Sequence, residues 1–233
     1  RQTSSDSGIE IPAYALDVHA STRSRSLYLT DTLSLTDALA LTASVRYNQT
    51  RVVVADQSGQ DPDLNGDHRF SRLNPAIGLA YVFTPSLNLY ASYSESTRAP
   101  TPVELSCADE EAPCKLPNQF ISDPPLEQVV ARSWEAGLRG HQGDALRWQA
   151  GLFRTTNTND ILFQTTGGAS SNEGFFANVA DTRRQGLEAG IEGELSDARL
   201  QWYANYTWLD AVFLGDFIES SANHPGADEE GVL

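Results

Sequence analysis

The sequence predicts an all-β chain of about eight strands, antiparallel and up-and-down, of the transmembrane β-barrel type. Three observations lead there. Apolar residues recur with a period of two. Pro75, Ile77, Leu79, Tyr81 and Phe83, for example, alternate with Asn74, Ala76, Gly78, Ala80 and Val82. That period marks strand and leaves one face fully apolar. Connections alternate between short turns and long polar loops. The second face carries small, polar and charged groups, which suit a hydrated lumen better than a dry core.

Four hairpins follow one another. The first, about 26–55, joins Ser26–Leu35 to Leu39–Ala55 through Thr36-Asp37-Ala38. The second, about 70–96, turns at Thr84-Pro85-Ser86, beyond which Leu87, Leu89, Ala91 and Tyr93 alternate with Asn88, Tyr90, Ser92 and Ser94. The third, about 128–163, joins Gln128–Arg139 to Leu146–Phe163 through Gly140–Ala145. The fourth, about 176–213, joins Phe176–Leu195 to Leu200–Phe213 through Ser196-Asp197-Ala198. Turn residues at these junctions make every pairing antiparallel. The opposite ends connect through long loops at about 56–68, 97–127, 164–175 and 214–233. Short turns at one end and long loops at the other belong to an outer-membrane-type barrel. A soluble sandwich would mix loop lengths and need a Greek-key crossover.

The faces agree with that architecture. Leu39, Leu41, Ala43, Val45 and Tyr47 oppose Ala40, Thr42, Ser44, Arg46 and Asn48, and Leu200, Trp202, Ala204, Tyr206 and Trp208 oppose Gln201, Tyr203, Asn205 and Thr207. Aromatics of the apolar parity gather near the turns (Tyr81, Phe83, Trp148, Trp202) and again higher up (Tyr47, Tyr93, Trp208). Two interfacial girdles would look like this, and so would plain strand propensity. Asp31 breaks the pattern, sharing parity with Leu27, Leu29, Leu33 and Leu35. A bulge between Leu29 and Leu33 would turn it inward.

Composition excludes several classes. A net charge of −15 argues against nucleic acid, since no basic cluster could neutralise phosphates. No apolar run approaches the length of a transmembrane helix, and no signal-peptide pattern opens the chain. Cys107 and Cys114 enclose six residues of one polar loop, an easily closed disulfide in an oxidising compartment. The rival is a metal, but two thiols without further ligands do not make a zinc site. His19, His68, His141 and His224 are scattered and form no catalytic constellation. Asp61, Asp63, Asn65 and Asp67 resemble a calcium loop but lack its closing glutamate and flanking helices. We therefore expect no catalytic residue, no metal site and no cofactor.

One resemblance adds to this reading. SLYLTDTLSLTDALALTASVRYNQT (26–50), Leu73-Asn74-Pro75, LYASYSESTRAPTPVEL (89–105), Trp134-Glu135-Ala136-Gly137-Leu138, Arg184-Gln185-Gly186-Leu187-Glu188 and Tyr206-Thr207-Trp208-Leu209-Asp210 stand in one order. Together they resemble the β-barrel of TonB-dependent outer-membrane receptors, whose barrels have roughly 22 strands. Thr97 departs from the pattern, which usually carries an aromatic there. The resemblance spans about residues 22–213 and implies a plug domain ahead of residue 1 and closing strands after the last. It implies an outer-membrane receptor of a Gram-negative bacterium that imports a scarce small-molecule ligand, by commonest family role a ferric siderophore or similar metal chelate. Its partners would be that ligand, outer-membrane lipid and TonB, reached through the N-terminal region. Ligand contact would fall on Arg98, Glu104, Asn118, Gln119 and Phe120 at the rim and on Tyr90 in the lumen. Alternatively, Arg98 simply pairs with a wall carboxylate. Two other readings stay open: a soluble β-sheet binding or adhesion module, and a passive porin.

Overall fold

The computed structural model describes residues 17–59, 61–109, 114–115, 126–143, 145–166, 173–195 and 200–216. In chain order the elements are β1 (Val18–Ser34), β2 (Leu39–Asp56), β3 (Gly66–Thr84), β4 (Leu87–Arg98), α1 (Pro102–Leu105), β5 (Cys114–Lys115), β6 (Val129–Gln142), β7 (Leu146–Thr158), β8 (Ile161–Thr165), β9 (Glu173–Asn178), β10 (Thr182–Leu195) and β11 (Leu200–Phe213). Eight of them form one antiparallel sheet in the order β1-β2-β3-β4-β6-β7-β10-β11. The other three form a small sheet, β5-β9-β8.

The wall is longer and more regular than the alternation alone suggests. β1 starts at Val18, eight residues before Ser26, and pairs with β2 without interruption from Val18–Asp56 down to Ser34–Ala40. No bulge separates Leu29 from Leu33, so Asp31 stays in the outer row beside Ala43 and is exposed. The inward turn considered above is thereby overturned. Hydroxyl pairs on the inner face, Thr30–Ser44 at 2.8 Å and Thr32–Thr42 at 3.0 Å, bracket Asp31 and hold the register. A bulge does occur in the second hairpin. Val82 faces Asn88 and Thr84 faces Leu87, so Phe83 is the extra residue and the turn shrinks to Pro85-Ser86.

Two sequence boundaries move for a different reason. The third hairpin ends at Thr158, because Asn159 adopts φ 56° and turns the chain out of the wall; asparagine is among the few residues that tolerate this left-handed conformation. Residues 161–165 and 173–178 then pair with each other rather than extending β7 and β10. They belong to the small sheet at the long-loop end.

The outer face is the more apolar one. Leu27, Leu29, Leu33, Leu73, Ile77, Tyr81, Phe83, Trp134, Leu152, Tyr206 and Trp208 are exposed on the outer face. Near the short turns Trp202 faces Gly193 across the ladder, and a Cβ on that glycine would lie 2.5 Å from the indole. The ring therefore covers the bare backbone, as aromatic residues do over strand glycines. The packed core lies elsewhere, at the long-loop end of the inner face. There Val52, Leu105, Leu126, Val129 and Ile161 form one cluster with Phe70, Ala108 and Phe176 against it.

Candidate functional site

The inner face is built of polar rows set across neighbouring strands. Nearest the short turns, Asn88, Arg139, Gln149, Gly190 and Asn205 stand side by side on β4, β6, β7, β10 and β11. They line an open groove of about 510 Å³ together with Arg147 and Glu192, which pair at 3.6 Å. One row up, Tyr90 faces Gly137, then Gly151 and Glu188. Arg139 lies over its ring at 4.6 Å. Its hydroxyl occupies the space a side chain at Gly137 would need, 2.6 Å from where a Cβ would stand. Tyr90 is thus laid along the wall by two glycines and an arginine.

At the other end, Arg98 closes β4 and meets Glu104 of α1 in a forked contact, Nη1 donating to Oε1 at 3.0 Å and to Oε2 at 2.8 Å. Glu104 also accepts the Thr101 N–H at 2.7 Å, while the Thr101 hydroxyl accepts the Glu104 N–H at 3.3 Å. This reciprocal capping box starts α1. Arg98 therefore has a carboxylate partner, in the loop and not in the wall. The structure does not bring Tyr90 to this pair: Arg98 lies eight positions further along β4, roughly 26 Å at strand spacing. Asn118, Gln119 and Phe120 lie outside the described residues.

Cys107 and Cys114 are joined, with Cα atoms 5.6 Å apart. The pair anchors the loop to the small sheet, because Cys114 faces Gly174 of β9 and the Cys107 carbonyl accepts the Phe176 N–H at 2.6 Å. A polar corner supports the other side of this shelf. Asn178 accepts the Glu127 N–H at 2.8 Å and donates to the Asn159 carbonyl at 2.8 Å. Asp160 accepts from the Thr182 hydroxyl at 2.6 Å. Alternation carries no sign of Glu127, Asn159 or Asp160; the one local cue is the Asn159-Asp160 dipeptide, a turn former. The acidic stretch 61–67 is also occupied structurally: Asn65 accepts the Asp56 N–H at 3.0 Å, and Asp67 pairs with Arg51 at 2.6 Å.

The β3–β4 seam has its own chemistry. Pro75 has no N–H to donate, and the ladder ends beside it at Ala76–Ser94. Above that point side chains bridge the strands. Asn74 donates to Thr97 at 3.2 Å and Arg72 donates to Glu95 at 2.9 Å, and within β4 Tyr93 also donates to Glu95 at 2.6 Å. Thr97, the departure from the aromatic of the family pattern, is the acceptor that buried Asn74 uses here.

What this two-faced wall resembles is specific. The TonB-dependent siderophore receptor PiuA of Acinetobacter baumannii is 26% identical over 206 residues, covering 84% of this chain and 25% of that protein. The heme/hemopexin utilization protein C of Haemophilus influenzae is 26% identical over 188 residues, covering 73% of this chain and 25% of that protein. The chain thus spans about a quarter of the length of the curated relatives it matches. Among solved structures, the siderophore receptor PiuA superposes with a TM-score of 0.66 at 20% identity, over 93% of this chain and 28% of that one. The ferric-catecholate import receptor Fiu of E. coli K12 gives 0.64 at 19% identity, over 85% of this chain and 29% of that one. These structural likenesses concern the fold. The family described as "TonB dependent receptor-like, beta-barrel" matches residues 1–229, and the chain belongs to that family of Gram-negative outer-membrane β-barrels.

Proposed function

We propose that this chain supplies wall and rim to an outer-membrane receptor that captures a metal chelate, a ferric siderophore first, and imports it with energy delivered through TonB. The carrying observation is the sheet itself: an apolar outer face, polar inner rows and a folded shelf at the long-loop end, within a chain matched to the receptor family over residues 1–229. The names of the similar proteins favour metal-bearing cargo: a siderophore receptor, a heme/hemopexin utilization protein, a ferric-catecholate import receptor and a copper transporter. The protein would act as a receptor, without catalysis. TonB would engage a plug region outside these residues.

Ligand contact would fall on the shelf. Arg98 keeps part of its guanidinium in solvent, its side chain being 46% exposed beside Glu104. Asn118, Gln119 and Phe120 fall in the same sequence segment, 97–127. Glu104 also caps α1, and Tyr90 lies along the lower wall, away from the shelf.

The test is uptake of radioiron-labelled chelates by cells carrying or lacking the full-length parent, with and without TonB. Uptake of one chelate that needs both supports the proposal. Entry independent of TonB would favour the porin, and a parent that partitions into the aqueous phase would favour the soluble module.

A further inference from the structure

Four arginines share the outer face just above its apolar band. Below them, Leu27, Tyr47 and Leu73 form one cross-strand row of β1, β2 and β3. The next row is Arg25, Gln49 and Ser71, and the one after it is Arg23, Arg51 and Arg69. Three arginines therefore stand in register on adjacent strands about 4.8 Å apart. Like charges in that position destabilise a sheet unless an anion lies between them. Asp67 serves Arg51 at 2.6 Å. Among the described residues Arg23, Arg25 and Arg69 form no ion pair, and all four arginines are exposed. The local sign is positive in a chain whose net charge is −15. On β6 and β10 the outward arginines differ, since Arg132 meets Glu95 at 3.5 Å and Arg183 meets Asp210 at 3.8 Å.

We propose that Arg23, Arg25, Arg51 and Arg69 bind the phosphate groups of the outer leaflet's phosphorylated glycolipid. Arginine is the residue suited to this, because its planar fork accepts phosphate through paired hydrogen bonds. The height also fits. Arg51 lies four residues beyond Tyr47, about 13 Å along the strand and about 9 Å along the normal at the usual tilt. The guanidinium groups then stand at headgroup level while Leu27, Tyr47 and Leu73 meet acyl chains. This inference rests on the outer-membrane reading, with the long-loop end outward.

The test uses the purified full-length receptor in non-ionic detergent, titrated with lipid A carrying both phosphates, with lipid A lacking both, and with inorganic phosphate, read by native mass spectrometry. The two-phosphate form is expected to bind about tenfold more tightly than the dephosphorylated form. The combined variant Arg23→Gln, Arg25→Gln, Arg69→Gln should lose that preference, and inward-facing Arg147→Gln should keep it. Equal binding of both lipid forms, an unchanged preference in the triple variant, or full displacement by inorganic phosphate would each overturn the proposal. Heat-modifiability on a gel confirms that each variant is a folded barrel. A folded barrel without phosphate preference sinks this inference alone, whereas a parent absent from the outer-membrane fraction sinks the reading beneath it.

Discussion

Asp31 stands among residues bound for lipid, its Oδ1 accepting the Thr32 N–H at 2.9 Å and its neighbours being Ala43 and, beyond it, Ile77. A carboxylate there opposes insertion, though less than lysine or arginine would. Asp31→Leu should therefore stabilise the full-length barrel in a bilayer by about 1–2 kcal/mol, measured as denaturant unfolding from vesicles. A loss of stability instead would mean that this face meets water. Asp67 behaves oppositely, since its charge is wanted. Hydrogen bonds from Arg51 hold its carboxyl below the ordinary aspartate range, and they raise Arg51 in turn. A lowered folded-state value means that the contribution is complete above the unfolded value, near pH 3.9, and is lost as pH falls through the folded one. Asp67→Asn should remove that acid-side component from the pH dependence of Tm, and the effect should shrink in high salt because the pair is exposed. Parity made the face of each residue legible in the sequence. That Arg51 would meet Asp67 required the β2–β3 register.

The shelf is the element in which sequence and structure part most. The sequence reads the wall strands as running on to Phe163 and back from Phe176, with 164–175 as the loop between them. Yet Ile161 faces Asn178 and Cys114 faces Gly174, pairings that a local pattern does not encode. Leu105 joins Val52, Leu126, Val129 and Ile161, residues far apart in the chain. Leu105→Ala should cost about 2–4 kcal/mol of local stability. Cys114→Ser should cost about 2–3 kcal/mol by freeing the short loop. Hydrogen exchange should show both as lost protection at Phe176 and Cys107, with β2 and β3 below the shelf unchanged. Equal loss along the wall would mean that shelf and wall unfold as one unit. The cysteine pairing was legible from the short spacing and the lack of further metal ligands, whereas α1 was hidden by its four-residue length and depends on the Thr101–Glu104 capping box.

As a whole, the described sheet has open edges at β1 and β11 and an outer face of exposed Leu, Ile, Tyr and Trp. Unpaired edges and bare apolar surface both drive association in water. The chain expressed alone should aggregate without detergent and show no heat-modifiable band on a gel, whereas the full-length parent should show one. A monodisperse, soluble fragment would argue for a self-sufficient domain. Two-residue alternation is a property of backbone geometry, so the sequence by itself determined that the chain is β, that one face is apolar, and which ends carry the short turns. It also carried the family resemblance through segments in order. Tertiary structure alone decided the absence of a bulge at Asp31, the departure of β7 at Asn159 and the shelf built from distant residues. It also decided the alignment of Arg23, Arg51 and Arg69 in one row. Those outcomes depend on register and on which distant strands pair, and these are settled by burial and hydrogen bonding between segments that no local period connects.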